Sequence, residues 1–201
     1  RYKKSKMNIV ALMPTTLKGV FDSIIEIGEL VGKEIESMRI VNSMKNKFDE
    51  IENKVKNFNT INKNSIRKNN KNNLNKITKP RIYIEEWHKP PTVSGNWVPN
   101  LVKMAGGDYG LIKAGSHSRE ISTNQIQKYD PEIIIISICG MADKALKEWV
   151  TKREGWQDLS AVKNNKVYVF DDSLLNRPGP RLVIGMEKLA EVIHPDIVLN
   201  R

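Results

Sequence analysis

Ile133-Ile134-Ile135-Ile136-Ser137-Ile138 decides how this chain is to be read. Successive side chains of a strand point to opposite faces, so a run that is apolar at nearly every position must be covered on both faces. That is the situation of a central strand in a parallel sheet, with a helical layer on each side. Working outward, Asp130-Pro131 makes the turn into it, and Ser118 is placed to cap a helix through Glu120, Ile121, Ile126 and Tyr129. Before that lies a second strand, Arg81-Ile82-Tyr83-Ile84-Glu85-Glu86-Trp87. It opens into the loop His88-Lys89-Pro90-Pro91-Thr92-Val93-Ser94-Gly95-Asn96-Trp97. A helix from Trp97 to Met104 follows and stops at Ala105-Gly106-Gly107, where glycine permits a left-handed turn. After the central strand come a helix over 143–151, a turn around Trp156, the strand Lys166-Val167-Tyr168-Val169-Phe170 and a closing helix over 180–193. This βαβαβα order over residues 80–201 predicts an α/β lobe of three layers with a mostly parallel sheet.

The first 79 residues read differently. Asn8-Ile9-Val10-Ala11-Leu12-Met13 is a short apolar run ended by Pro14, after which Thr15 or Thr16 can cap a helix carrying Leu17, Val20, Phe21, Ile24, Ile27 and Val31 at spacings of three and four. A second helix through Ile35, Met38, Val41, Met44, Phe48, Ile51 and Val55 keeps the same period for nearly six turns, which suits a spine between lobes. From Asn57 to Lys79 the sequence becomes Asn and Lys with isolated apolar residues, and reads as a surface linker or a frayed helix extension. Residues 1–32 are thus expected to be a remnant of a partial second α/β lobe, 33–79 the long helix and linker, and 80–201 the ligand-binding lobe. A lone strand beside helices has no neighbour for its backbone groups, so the chain is expected to begin downstream of further N-terminal sequence. No apolar h-region follows Arg1-Tyr2-Lys3-Lys4, so an export signal is expected in that upstream part as well.

Composition narrows the function. The 201 residues carry a formal charge of +10, but residues 1–80 hold 17 Lys and Arg against 8 Asp and Glu, while residues 81–201 hold 16 against 15. The basic part lacks the interleaved aromatics that stack on bases, which argues against nucleic acid as a partner. One cysteine, Cys139, beside an apolar strand, and three scattered histidines, His88, His117 and His194, give no metal cluster. Glu85 and Glu86 are adjacent, but strand alternation sends them to opposite faces and away from a shared acid/base site. No enzyme activity is expected, and no run of about 18–20 apolar residues is present to span a bilayer.

Specific residues then carry a resemblance. Trp87, Pro90-Pro91, Ser94-Gly95, Trp97-Val98-Pro99, Ala105-Gly106-Gly107, Ser118-Arg119-Glu120, Asp130-Pro131-Glu132-Ile133-Ile134 and Arg177-Pro178-Gly179-Pro180-Arg181 occur in an order and spacing similar to the C-terminal lobe of the cobalamin-binding and iron-siderophore-binding proteins of ABC importers. Residues 9–56 resemble the end of that family's N-terminal lobe and the rigid helix joining its lobes. The resemblance implies a bilobed, extracytoplasmic solute-binding protein, peripheral to the membrane. It would hold a corrinoid or metal chelate between its lobes and deliver it to a membrane permease, with no cofactor of its own. Cobalamin, a ferric siderophore and haem all remain open as cargo.

Such a ligand presents broad apolar faces with a few polar edges, and calls for aromatic plates with sparse hydrogen-bonding groups around them. The resemblance carries ligand contacts to Glu86, Trp87, Thr92, Ser173, Asn176 and Arg177, on two loops that follow strands. Trp97, opening a helix, is read as core, and Arg181 as a brace for its loop. His88 is the residue through which a haem iron would be held. Glu120 is by resemblance a carboxylate that meets an arginine of the permease. With half of the cleft expected to come from upstream sequence, the chain by itself is expected to bind cargo weakly or not at all.

Overall fold

A computed structural model describes residues 9–69 and 79–199, and the side chains of 9–61 and 79–199. Asn8, at the head of the expected first strand, and residues 70–78 of the expected linker lie outside the described residues. Five strands form one sheet: β1 (Ile82–Trp87), β2 (Thr92–Val93), β3 (Arg119–Glu120), β4 (Ile133–Ile136) and β5 (Val167–Val169). Their order is β3-β2-β1-β4-β5. The three longer strands, β1, β4 and β5, run parallel, with Ile84 opposite Ile135 and Ile135 opposite Tyr168; β2 and β3 complete one edge antiparallel.

The four isoleucines of β4 are buried on both faces, as a strand between two layers must be. On one face, Ile82 of β1 meets Val102 of helix α3 (Val98–Met104) and Ile193 of helix α7 (Leu182–Ile193) around Gly107, where a Cβ would fall 2.8 Å from both Ile82 and Val102. On the opposite face, Tyr83 meets Trp156 edge-on, ring centroids 5.5 Å apart. The architecture is therefore α/β with a mostly parallel sheet between two layers.

Helix α1 (Leu17–Leu30) starts at Thr16, whose hydroxyl accepts the Gly19 N–H at 3.0 Å. Helix α2 (Glu34–Asn69) packs on α1, α3 and α7. Its stripe Val41, Met44, Phe48, Ile51 and Val55, at alternating spacings of three and four, is buried. Each such side chain contributes roughly 1.5–3 kcal/mol by leaving water, so this stripe, more than the polar sequence around it, holds the helix in place. One connected apolar core runs from Val20 of α1 to Ile193 of α7.

Several local expectations are corrected. Residues 9–13 form no strand: among the described residues nothing pairs with them, and Ile9, Val10 and Met13 stay exposed. Ser118 caps no helix; α4 is Thr123–Tyr129, opened by Ser122 and Gln125 in a reciprocal capping box. Residues 119–120 pair instead with Thr92–Val93, which had read as loop and form β2. Between 143 and 151 only α5 (Glu148–Thr151) is α-helical, and a further short helix, α6 (Ser160–Lys163), precedes β5. Residues 57–69, which composition left between linker and helix, continue α2.

Candidate functional site

The three parallel strands end at the same edge of the sheet, and their following loops are tied to one another there. Ser137 N–H donates to Glu85 O at 2.9 Å, Cys139 N–H to Glu86 O at 3.1 Å and Phe170 N–H to Ile136 O at 2.9 Å, so pairing continues past the last strand residues. The side-chain amide of Asn176 donates to Ser137 O at 2.6 Å, and Trp97 Nε1 donates to Leu175 O at 2.8 Å. The loop after β5 is thereby fastened to the loop after β4 and to the start of α3. Crevices at the carboxyl ends of parallel strands are where α/β folds place ligands.

Glu86 ties a third segment into this surface. Its Oε2 accepts from the Ser94 hydroxyl at 2.9 Å and the Ser118 hydroxyl at 2.7 Å, while Ser118 Oγ accepts the Gly95 N–H at 2.9 Å. Asn96 N–H donates to Ser116 O at 2.6 Å and Gly115 N–H to Asn96 O at 2.8 Å. A Cβ at Gly95 would lie 2.6 Å from Ser118 N, so this approach of two backbones requires glycine.

Beneath Trp87 sits a charged network that sequence reasoning missed. Glu85 is fully buried and accepts two parallel bonds from Arg153, Nη1 to Oε2 at 2.6 Å and Nη2 to Oε1 at 2.7 Å. Tyr83 donates its hydroxyl to the same carboxylate at 3.0 Å, and the guanidinium lies over Trp156, 4.3 Å from the ring centroid. Burial first, then the Glu85 carboxylate, hold the Tyr83 hydroxyl well above the usual phenol range. Arg153 Nη2 also donates to His88 Nδ1 at 2.8 Å, and the His88 ring stacks on Trp149 at 4.6 Å. Arginine is only a donor, so His88 Nδ1 is an acceptor and a neutral ring carries its proton on Nε2. The pairing of Glu85 with Arg153 was hidden because 68 positions separate them.

The six residues assigned by resemblance fall into two groups. Trp87, 51% exposed with Nε1 donating to Lys89 O at 3.1 Å, presents a free indole face. Half-buried Asn176 and exposed Arg177, whose Nη2 lies 3.4 Å from the buried Asp172, stand on the loop after β5, and Glu86 is half-buried, its carboxylate held by Ser94 and Ser118. Thr92, opposite Trp87 in register, gives its hydroxyl to Pro90 O at 3.0 Å, and Ser173 is buried behind the wall. These two shape loops more than they offer groups. Trp97 is buried, in the core. The neighbouring Cys139 thiol is pushed up by burial first and by the Glu86 carboxylate next, and so stays protonated near neutral pH. Glu120 is elsewhere, exposed on edge strand β3. A separate groove of about 750 Å³ between α3 and the 107–119 segment includes none of the six.

Against known proteins, residues 3–174 match the sequence profile of a family described as periplasmic binding protein. An ABC transporter substrate-binding lipoprotein of Bacillus subtilis (strain 168), YvrC, is 31% identical over 179 residues, 88% of this chain and 50% of that protein. The vitamin B12-binding protein of Vibrio parahaemolyticus is 26% identical over 119 residues, 58% of this chain and 42% of that one. Among solved structures, an ABC-type Fe3+-hydroxamate transport system protein from Saccharomonospora viridis superposes with a TM-score of 0.70 at 17% identity, covering 94% of this chain and 59% of its own. The chain thus spans about half the length of the curated relatives it matches.

Proposed function

The chain belongs to the periplasmic binding protein family, and from that premise we propose that it serves as the extracytoplasmic solute-binding component of an ABC importer for a cobalamin-like or iron-chelate ligand. One observation carries the reading. The loop after β5 is bonded to the loop after β4 through Asn176 and to the start of α3 through Trp97, at the end of the sheet that also carries the half-exposed Trp87 indole. An indole plate suits the apolar face of a macrocycle or chelate, and Asn176 and Arg177 suit its carboxamide or carboxylate edges.

Of the three cargoes, haem held through His88 is least favoured. That ring is engaged by Arg153 on Nδ1 and stacked on Trp149, as part of the network around Glu85. Glu120, exposed at the sheet edge, is the carboxylate we assign to docking on an arginine of the permease. On this reading the cargo is held and handed on unchanged. Spectroscopic titration with cyanocobalamin, a ferric hydroxamate and haem tests it. Weak changes with one of the first two, saturating only at high ligand concentration as a single wall implies, and lowered at least about tenfold further in affinity by Trp87→Ala, are expected from the loss of an aromatic contact. Cargo affinity indifferent to Trp87→Ala would remove the wall from the account.

A further inference from the structure

We infer a second binding surface, for anionic phospholipid at the membrane face, in the groove between α3 and the 107–119 segment. Its rim carries Lys79, Lys103, Lys113, His117 and Arg119, against one carboxylate, Asp108. Lys79, Lys103 and Lys113 make no ion pair among the described residues, whereas Lys18, Lys47, Lys54 and Lys56 on α1 and α2 and Lys33 between them are each paired with a carboxylate, and Lys45 lies over the Phe21 ring. Charge left unneutralised in one concave place is the condition for attracting a polyanion.

The floor separates a lipid from a small free anion. Pro99, Leu111, Ile112 and Ala114 line the groove, and at about 750 Å³ it exceeds what a lone phosphate fills. No lysine of the rim is buried, so no closed cradle grips a single ion. Cations on a rim above an apolar floor complement a surface that presents many phosphates with apolar chains behind them. Arg119 is held in place by donating to Leu111 O at 2.9 Å and to Glu120 O at 3.2 Å. The groove therefore adjoins the carboxylate assigned to permease docking, and the inference rests on that reading for its orientation toward the membrane. Lys103, Lys113 and Arg119 of the groove belong to residues 81–201, whose overall charge is balanced, so the groove concentrates positive charge locally, with Lys79 added from the end of the basic first part.

The test is co-sedimentation of the full chain with vesicles of phosphatidylcholine, with and without phosphatidylglycerol, at low salt. Partition onto the phosphatidylglycerol vesicles alone is expected, weakened by roughly 100-fold in Lys79→Gln/Lys103→Gln/Lys113→Gln, since each lysine near such a surface is worth about a fivefold factor. A control of equal charge, Lys128→Gln/Lys152→Gln/Lys166→Gln, should lose far less. Equal loss in the two triple variants, no partition by the unaltered chain, or equal partition onto pure phosphatidylcholine overturns the inference. So does saturable binding of inorganic phosphate that the first triple variant abolishes, which would make the groove a site for a free anion. Glu120→Gln should leave vesicle partition unchanged while weakening association with the permease, so that failure of the groove and failure of the importer reading are told apart.

Discussion

Trp87, at the end of β1, and Trp97, at the start of α3, lie ten positions apart, and their surroundings separate their roles. Trp97 is buried and bonded to Leu175 O, so Trp97→Ala is expected to cost roughly 3–5 kcal/mol in denaturant unfolding. Trp87 faces solvent, so Trp87→Ala should leave stability within about 0.5 kcal/mol while removing cargo affinity. A stability loss at Trp87 as large as that at Trp97 would contradict these roles. Sequence could separate them because one indole opens a helix and the other ends a strand. It could not see that Glu86 is bound to Ser94 and Ser118, because hydroxyls 8 and 32 positions away leave no periodic trace. His194 gives a pH signature at the same scale. Burial, opposed by a bond to Ala105 O, holds its imidazole below the usual 6.5. Below that pH the unfolded chain takes up a proton that the folded chain resists, so stability is full above about pH 6.5 and declines as pH falls toward the folded value. His194→Gln should flatten unfolding free energy against pH in that window, and an unchanged slope would mean another group is responsible.

At the scale of elements, the account turns on how strand ends are fixed. β1 ends in Glu85, Glu86 and Trp87, and the flanking carboxylates are tied to different partners: Glu85 to Arg153, beyond α5, and Glu86 to the 94–118 segment. Trp87 is therefore positioned from both sides. Arg153→Met would strand a buried carboxylate, and a loss of roughly 3–5 kcal/mol in thermal or denaturant unfolding is expected. Glu85→Gln/Arg153→Met, which removes both charges, should recover a large part of that loss; if the double variant is no more stable than the single, the pair is not what holds the strand end. The strands and the longer helices were legible because apolar period survives in a single sequence. The short elements were not. β2 and β3 contain two residues each and exist only because they pair with one another and with β1. The start of α4 was misplaced because Ser118 and Ser122 both suit an N-cap, and only the reciprocal bond with Gln125 distinguishes the second.

For the whole molecule, α2 is the member that joins the first part of the chain to the rest, packing on α1 at one side and on α3 and α7 at the other. Its apolar period made the helix readable, while its extension to Asn69 through Asn- and Lys-rich sequence was left open between helix and linker, since composition alone carries no register. Ile27, Leu30, Val31, Ile35 and Met38 are exposed around the end of α1 and the start of α2. The wall lies where β1, β4 and β5 all end, and the importer reading requires its loops to act together. The most direct measurement is amide hydrogen exchange of the chain with and without saturating cyanocobalamin or ferric hydroxamate. The account predicts that one of these slows exchange in residues 86–97 and 172–177 at once, with 137–142 following. Protection of only one of those loops, or of the groove around Lys103 and Lys113 in their place, would contradict it.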